Sequence, residues 1–267
     1  MIPRGFNFSQ SSLTAYEQCR RRFLLRYLRR MEWPAPLTDR LSEWEEAIRR
    51  GLAFHQFVLQ QSLGMDVETV VQKSDDPLLV TWWQNWCQRQ PEAPEGELLS
   101  ETMLSVPLAG NRLVAKFDRV LIAADGKVWI FDWKTGRRKP EQAVFAASWQ
   151  TLVYRFVLAE AGMVLNGGNS IDPADIRLVY WHAQHPEVLR PIGYSAAEHE
   201  EARERIAQMI AAISALPDEA AYPKTADLGE CRHCEFYTYC DRLTDRGEDW
   251  DIDEDELDWE LIPEAEL

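Results

Sequence analysis

Within residues 115–136, AKFDRVLIAADGKVWIFDWKTG, three side chains have types that suit hydrolytic chemistry: Asp118, Asp132 and Lys134. Alternation along a strand puts Asp132 and Lys134, two apart, on one face. An Asp125-Gly126 turn folds that strand back on its predecessor, so Asp118 can stand beside them. Two carboxylates converging on one point repel each other. A hard divalent cation relieves the repulsion, and Mg²⁺ takes such oxygens while keeping several waters. An ammonium beside the ion can hold, or help deprotonate, an attacking water, which is the equipment of metal-assisted phosphodiester hydrolysis. A D-x-K triplet alone is more often an accidental surface pair. Here it follows an apolar run and sits between Phe131 and Trp133, which argues against an exposed strand.

Other residues have chemical potential and a plainer alternative. His55, in GLAFHQFV, lies on the apolar face of a helix, where a histidine is usually a core residue bonded to backbone. Gln150 and Tyr154, in SWQTLVYRF, are i and i+4 and share a helix face, which an amphipathic edge would also do. Thr135, Gly136, Arg137, Arg138 and Lys139 form a basic turn that suits phosphates or simply water. Glu101 opens a strand and reads as a strand-end charge. CRHCEFYTYC supplies Cys231, Cys234 and Cys240 as C-x₂-C-x₅-C. Three thiolates leave a tetrahedral site one ligand short, and Cys19 in QCRRRF is the best fourth. A Cys₄ set suits a [4Fe–4S] cluster or structural zinc. Cys87, in WWQNWC, reads as a buried apolar cysteine.

The elements that must position these groups follow from periodicity. Residues 11–30 predict one helix, capped by Ser11 or Ser12, with Thr14 and Glu17 as a second capping box. Its apolar stripe includes Leu13, Tyr16, Phe23 and Tyr27, and six arginines within 20–30 cover the rest, as a solvated face or a track for phosphates. Pro34 and Pro36 then break the chain. A helix over about 39–62 and a Trp-rich one over 78–88 come before the loop 91–96. The period then drops to 2. Strands are expected at 101–108, 112–122 and 127–133, turning at Gly110-Asn111 and Asp125-Gly126. Helix 141–161, strand 176–182 and helix 196–215 follow. This order predicts an α/β fold, a mixed sheet flanked by helices.

At 267 residues the chain is ample for a sizeable core. No apolar run is long enough to span a bilayer, and MIPRGFNFSQ lacks a leader's apolar stretch, so a cytoplasmic protein is expected. Of 44 acidic and 29 basic residues, twelve acids and one arginine lie in 245–267, leaving 32 against 28, a net −4, for residues 1–244. The overall −15 is therefore mostly tail and does not exclude a nucleic-acid partner. The expected division is a domain over 1–244 and a disordered tail over 245–267, either solubilising or a mimic of DNA covering a basic groove. Eleven tryptophans, including Trp33 and Trp44, are mostly core, with some offering stacking surfaces for single strands.

On Asp118, Asp132-x-Lys134, Gln150-xxx-Tyr154 and the cysteine spacing, the sequence resembles the PD-(D/E)XK nuclease superfamily, in its RecB-like branch with a C-terminal iron–sulfur cysteine cluster. AddB-type and CRISPR-adaptation nucleases belong to the same branch. The resemblance covers about residues 8–243. It implies a restriction-endonuclease-like core and DNA cleavage with Mg²⁺ or Mn²⁺. It further implies that His55, Asp118, Asp132 and the Trp133 carbonyl hold the metal, and that Lys134, Gln150 and Tyr154 complete the catalytic site. A glutamate near the site is also implied, at Glu101. Cys19, Cys231, Cys234 and Cys240 would hold the cluster and tie the chain's two ends together. Phe117 stands where the motif has proline, and Ala115 where the family often has glycine. The expected function is a metal-dependent DNA nuclease, an exonuclease on single-stranded or end-containing DNA in recombination, DNA repair or CRISPR adaptation. Two alternatives are a catalytically weak DNA-binding or assembly module of a helicase–nuclease complex, and a redox-sensing iron–sulfur protein. The sequence has no G-x-x-x-x-G-K-[ST] loop, so unwinding would need a separate helicase.

Overall fold

The meander comes first because the sheet is built around it. β2 (Gly96–Leu108), β3 (Asn111–Ala123) and β4 (Val128–Lys134) run antiparallel in succession. β5 (Ile176–His182) pairs parallel to β4 over its whole length, from Val128↔Ile176 to Lys134↔His182. A two-residue β1 (Asn7–Phe8) runs parallel to β3 at Arg112 and Leu113. The result is a five-stranded mixed sheet. The computed structural model describes residues 2–31, 39–136, 141–187, 190–232 and 234–242, without the side chains of 39–45 and 232.

Helices cover both faces. A parallel β4–β5 connection requires a crossover, and it carries α6 (Gln142–Ala147) and α7 (Trp149–Ala161). On one face α7 packs with α1 (Gln10–Gln18) and α8 (Ala196–Ser214), burying Leu13, Val153, Phe156 and Ile206 against Val120, Val128 and Ile130. On the other, α3 (Asp39–Ser62), α4 (Glu68–Val71) and α5 (Pro77–Arg89) bring Phe54, Val58, Val71, Trp82 and Trp86 onto Phe131, Trp133 and Trp181. β4 is buried on both faces, as a central strand of an α/β sheet must be. A short α9 (Leu228–Arg232) leads into the terminal cysteines.

Several boundaries differ from the sequence reading. The first helix is not continuous: Cys19 is extended at φ −156°, ψ 111°, and splits α1 from α2 (Arg20–Phe23), which passes into a π-helical turn, Leu24–Leu28. The cap is Ser9, in a reciprocal pair with Ser12, so neither Ser11 nor Ser12 is the N-cap itself. The Thr14 hydroxyl instead donates to the Gln10 carbonyl, and Glu17 accepts from Trp149 Nε1. The helix expected over 141–161 breaks at Ser148, whose hydroxyl caps α7. The first hairpin turns at Ala109-Gly110, one residue earlier than expected, with φ of 49° and 75°. That pair of positive φ values is what a tight two-residue hairpin demands. β2 starts at Gly96, five residues earlier than expected, and Cys87 is exposed rather than buried.

One irregularity matters for chemistry. Leu113, Ala115 and Phe117 face the α7 layer, but so do Val120 and Ile122 further along the same strand. β2 makes the same change of parity, between Leu99 and Leu104. The register does not slip, since Ser100↔Arg119 and Thr102↔Phe117 bracket the change. Both strands turn over together at Glu101 and Asp118. Glu101 absorbs the turn with φ 49°, a left-handed conformation costing about 1–2 kcal/mol outside glycine.

Candidate active site

The changeover frees the Asp118 carboxylate from regular alternation and leaves it beside the end of β4. Asp118 Oδ2 accepts a 2.8 Å hydrogen bond from the Trp133 N–H. Its Oδ1 lies 3.3 Å from His55 Nδ1 on α3. Glu101 joins them: His55, Glu101 and Asp118 each offer a donor atom, all within 4.8 Å of one another. Lys116 Nζ, 2.7 Å from Glu101 Oε2, steadies the glutamate. Lys116 was not singled out from sequence, although it lies two residues before Asp118.

Asp132 and Lys134 share a face, as alternation predicts, and it is the α7 face. Lys134 Nζ donates to Gln150 Oε1 at 2.8 Å, and Gln150 Nε2 donates to Asp132 Oδ1 at 3.0 Å. Gln150 Nε2 also reaches the Tyr154 hydroxyl at 3.2 Å, so the i, i+4 pair works as one unit. Lys134 Nζ also lies 2.7 Å from Asp132 Oδ2, so the buried carboxylate is paired with the ammonium.

Electrostatics separate the two carboxyls. Burial pushes Asp118 up, but the nearby His55, the Trp133 N–H and Lys134 outweigh it and hold the group below the usual range. Burial pushes Asp132 up to about 6, against the pull of Lys134 and with the help of repulsion from Asp118. Burial, with both aspartates, drives Tyr154 well above the ordinary phenol range, so it stays protonated. The donor set of one imidazole and several carboxylates fits a divalent cation.

β4 ends in a fixed turn. The Ala183 N–H donates to the Lys134 carbonyl, and Gln184 Nε2 donates to the carbonyls of Thr135 and Gly136. Nothing in the spacing of Gln184 announces this. Arg137, Arg138 and Lys139 lie outside the described residues, as do Trp33, the side chain of Trp44 and the tail 245–267.

The four cysteines form a second constellation. Cys19, Cys231, Cys234 and Cys240 line one small cavity. Extended backbone at Cys19 turns the chain toward it, and the Arg21 N–H bonds the Pro223 carbonyl. Arg22, buried on α2, holds Glu235 at 2.9 Å, with Arg26 adding a second contact, so these arginines are structural rather than solvated. Burial pushes the Cys234 thiol up to about 12 and raises Cys231 and Cys240 as well. Without a metal these thiols stay neutral, so binding one must release protons. The four cysteines share this cavity, while among the described residues the ion-sized grouping of donor atoms is the His55–Glu101–Asp118 set.

Helices on both faces of a mixed sheet, with one acid and a D-x-K pair meeting where two strands turn over, define a nuclease-type α/β core. The sequence matches the PD-(D/E)XK nuclease superfamily over residues 7–241. The chain belongs to that superfamily. No curated protein matches it. Among solved structures, a protein from Eubacterium rectale that carries the provisional name exonuclease is similar at TM-score 0.50 and 12% identity, over 79% of this chain and 80% of that one. SSO0001 aligns at TM-score 0.42 and 14% identity over 91% and 90% of the two chains. Among the described residues, no helix is long and apolar enough to cross a membrane.

Proposed function

We propose that the protein is a Mg²⁺- or Mn²⁺-dependent deoxyribonuclease of the RecB-like branch. Its expected substrate is single-stranded or end-containing DNA, cut exonucleolytically in recombination, repair or CRISPR adaptation. The observation that carries this reading is the His55–Glu101–Asp118 group, whose donor atoms lie within 4.8 Å of one another, at the end of the strand that holds the buried Asp132–Lys134 pair. Asp118, Asp132, His55 and the Trp133 carbonyl would hold the cation, and Glu101 stands within reach of the same position. When bound, it supplies Lewis acidity and lowers the pKa of a water. Lys134, as an ammonium, would orient that water and stabilise the hydroxide left as its proton passes to solvent. Gln150 fixes both Lys134 and Asp132, and Tyr154, kept protonated, fixes Gln150 and offers a hydroxyl to the substrate.

The decisive comparison is cleavage by the parent, Asp132→Ala and Lys134→Ala. Loss of orders of magnitude in both variants supports the reading. Equal cutting by all three would move the activity elsewhere. A chain that binds DNA and never cuts it would fit the alternative of an assembly module for a helicase partner.

The cysteine cavity, in the same reading, holds a [4Fe–4S] cluster with a structural role, and zinc is the competing occupant. Anaerobic purification with a visible spectrum and iron analysis tells the two apart.

A further inference from the structure

Arg119 has surroundings that are unusual for this molecule. Its guanidinium carbon lies 5.6 Å from the ring centroid of Trp86 and 5.2 Å from that of Trp133. These two indoles pack edge to face at 4.6 Å. Other arginines withdrawn from water have acceptors: Arg22 has Glu235, and Arg155 has the carbonyls of Thr151 and Gly193. Among the described residues, Arg119 has neither a hydrogen bond nor an ion pair, and none of its nitrogens is sealed from solvent. The adjacent Asp118 carries a charge nearby but makes no contact with the guanidinium, since its oxygens face His55 and the Trp133 N–H.

A partly buried guanidinium whose N–H groups have no acceptor is costly. Aromatic stacking uses the flat faces of a guanidinium and leaves its N–H edge open for an anion, in the fork that matches phosphate oxygens. Arg119 follows Asp118 directly and points to the α3–α5 side, where His55 also lies. We propose that Arg119 is a receptor for a backbone phosphate of the bound strand, the one beside the phosphate under attack, with Trp86 and Trp133 holding the fork in place. This rests on the nuclease reading.

The test measures binding of the full chain to a labelled single-stranded oligonucleotide against salt, in a Lys134→Ala background that spares the DNA. Adding Arg119→Met should weaken binding about tenfold and flatten the slope of log K against log salt by ~0.7, the loss of one phosphate contact. The metal-free melting temperature should hold or rise. Arg119→Gln, read by the same slope, covers a methionine variant that fails to fold. An unchanged slope and affinity in a folded variant overturns the role of Arg119 alone, leaving it a stacking residue. Absence of salt-dependent binding before either substitution overturns the nuclease reading with it.

Discussion

Asp132 is buried at the end of β4, and burial pushes its carboxyl up to about 6 even with Lys134 beside it. The cost has a sign. The unfolded carboxyl ionises near 3.8, so ionisation penalises the folded state fully above pH 6, and the penalty is relieved as pH falls toward 4. In EDTA the melting temperature should therefore rise as pH is lowered from 7 to 5. Asp132→Asn should abolish that slope, raise the metal-free melting temperature at pH 7 and cost orders of magnitude in cleavage. A residue that weakens the fold while serving its chemistry is the expected trade at such a site. Gln150→Leu should leave folding intact while lowering kcat by about 10²-fold, because Lys134 and Asp132 lose their shared positioner. Circular dichroism alongside single-turnover kinetics checks both halves.

At the scale of elements, α5 supplies the tryptophan layer behind the D-x-K strand, and its start is set by Asp76. That carboxylate caps the N–H groups of Leu78 and Leu79, and Arg50 reaches it at 2.6 Å. Burial pushes Asp76 up, but these N–H groups and Arg50 outweigh it and hold it below its ordinary range. Its contribution is thus present above pH 4 and lost as pH falls further. Asp76→Ala should cost about 1 kcal/mol near neutrality and less at pH 3, measured by denaturant titration. Most of this architecture was readable from periodicity. The strands, the Asp125-Gly126 turn and the meeting of Asp118 with Asp132 followed from alternation and one hairpin signal. The joint turnover at Glu101 and Asp118 did not. Its trace is in the sequence, since Phe117 and Val120 are three apart where a regular strand wants an even step, but each strand alone reads as unbroken. Likewise the break at Cys19 was hidden under a sound helical stripe, because the cavity that draws the chain aside is formed with residues more than 200 positions away. Propensity is local, and tertiary demands overrode it there.

Across the whole molecule, the Arg22–Glu235 pair and the cavity shared by the four cysteines join α2 to the terminal segment, while the proposed catalytic groups lie between β3, β4, α3 and α7. Loss of the clasp should therefore loosen the ends before it disturbs the centre. Cys19→Ser should expose the first 30 residues to limited proteolysis and lower the melting temperature, with the site's own cation affinity less affected. Both ends feed one claim, that a divalent cation gathered by Asp118, Asp132 and His55 beside Lys134 breaks a DNA backbone. End-labelled DNA incubated with Mn²⁺ and either the parent or Lys134→Ala tests it most directly, with Mn²⁺ affinity measured on both. Comparable Mn²⁺ binding, with cleavage at least ~10³-fold slower in the variant, is the expected result; equal cleavage by both would contradict the claim.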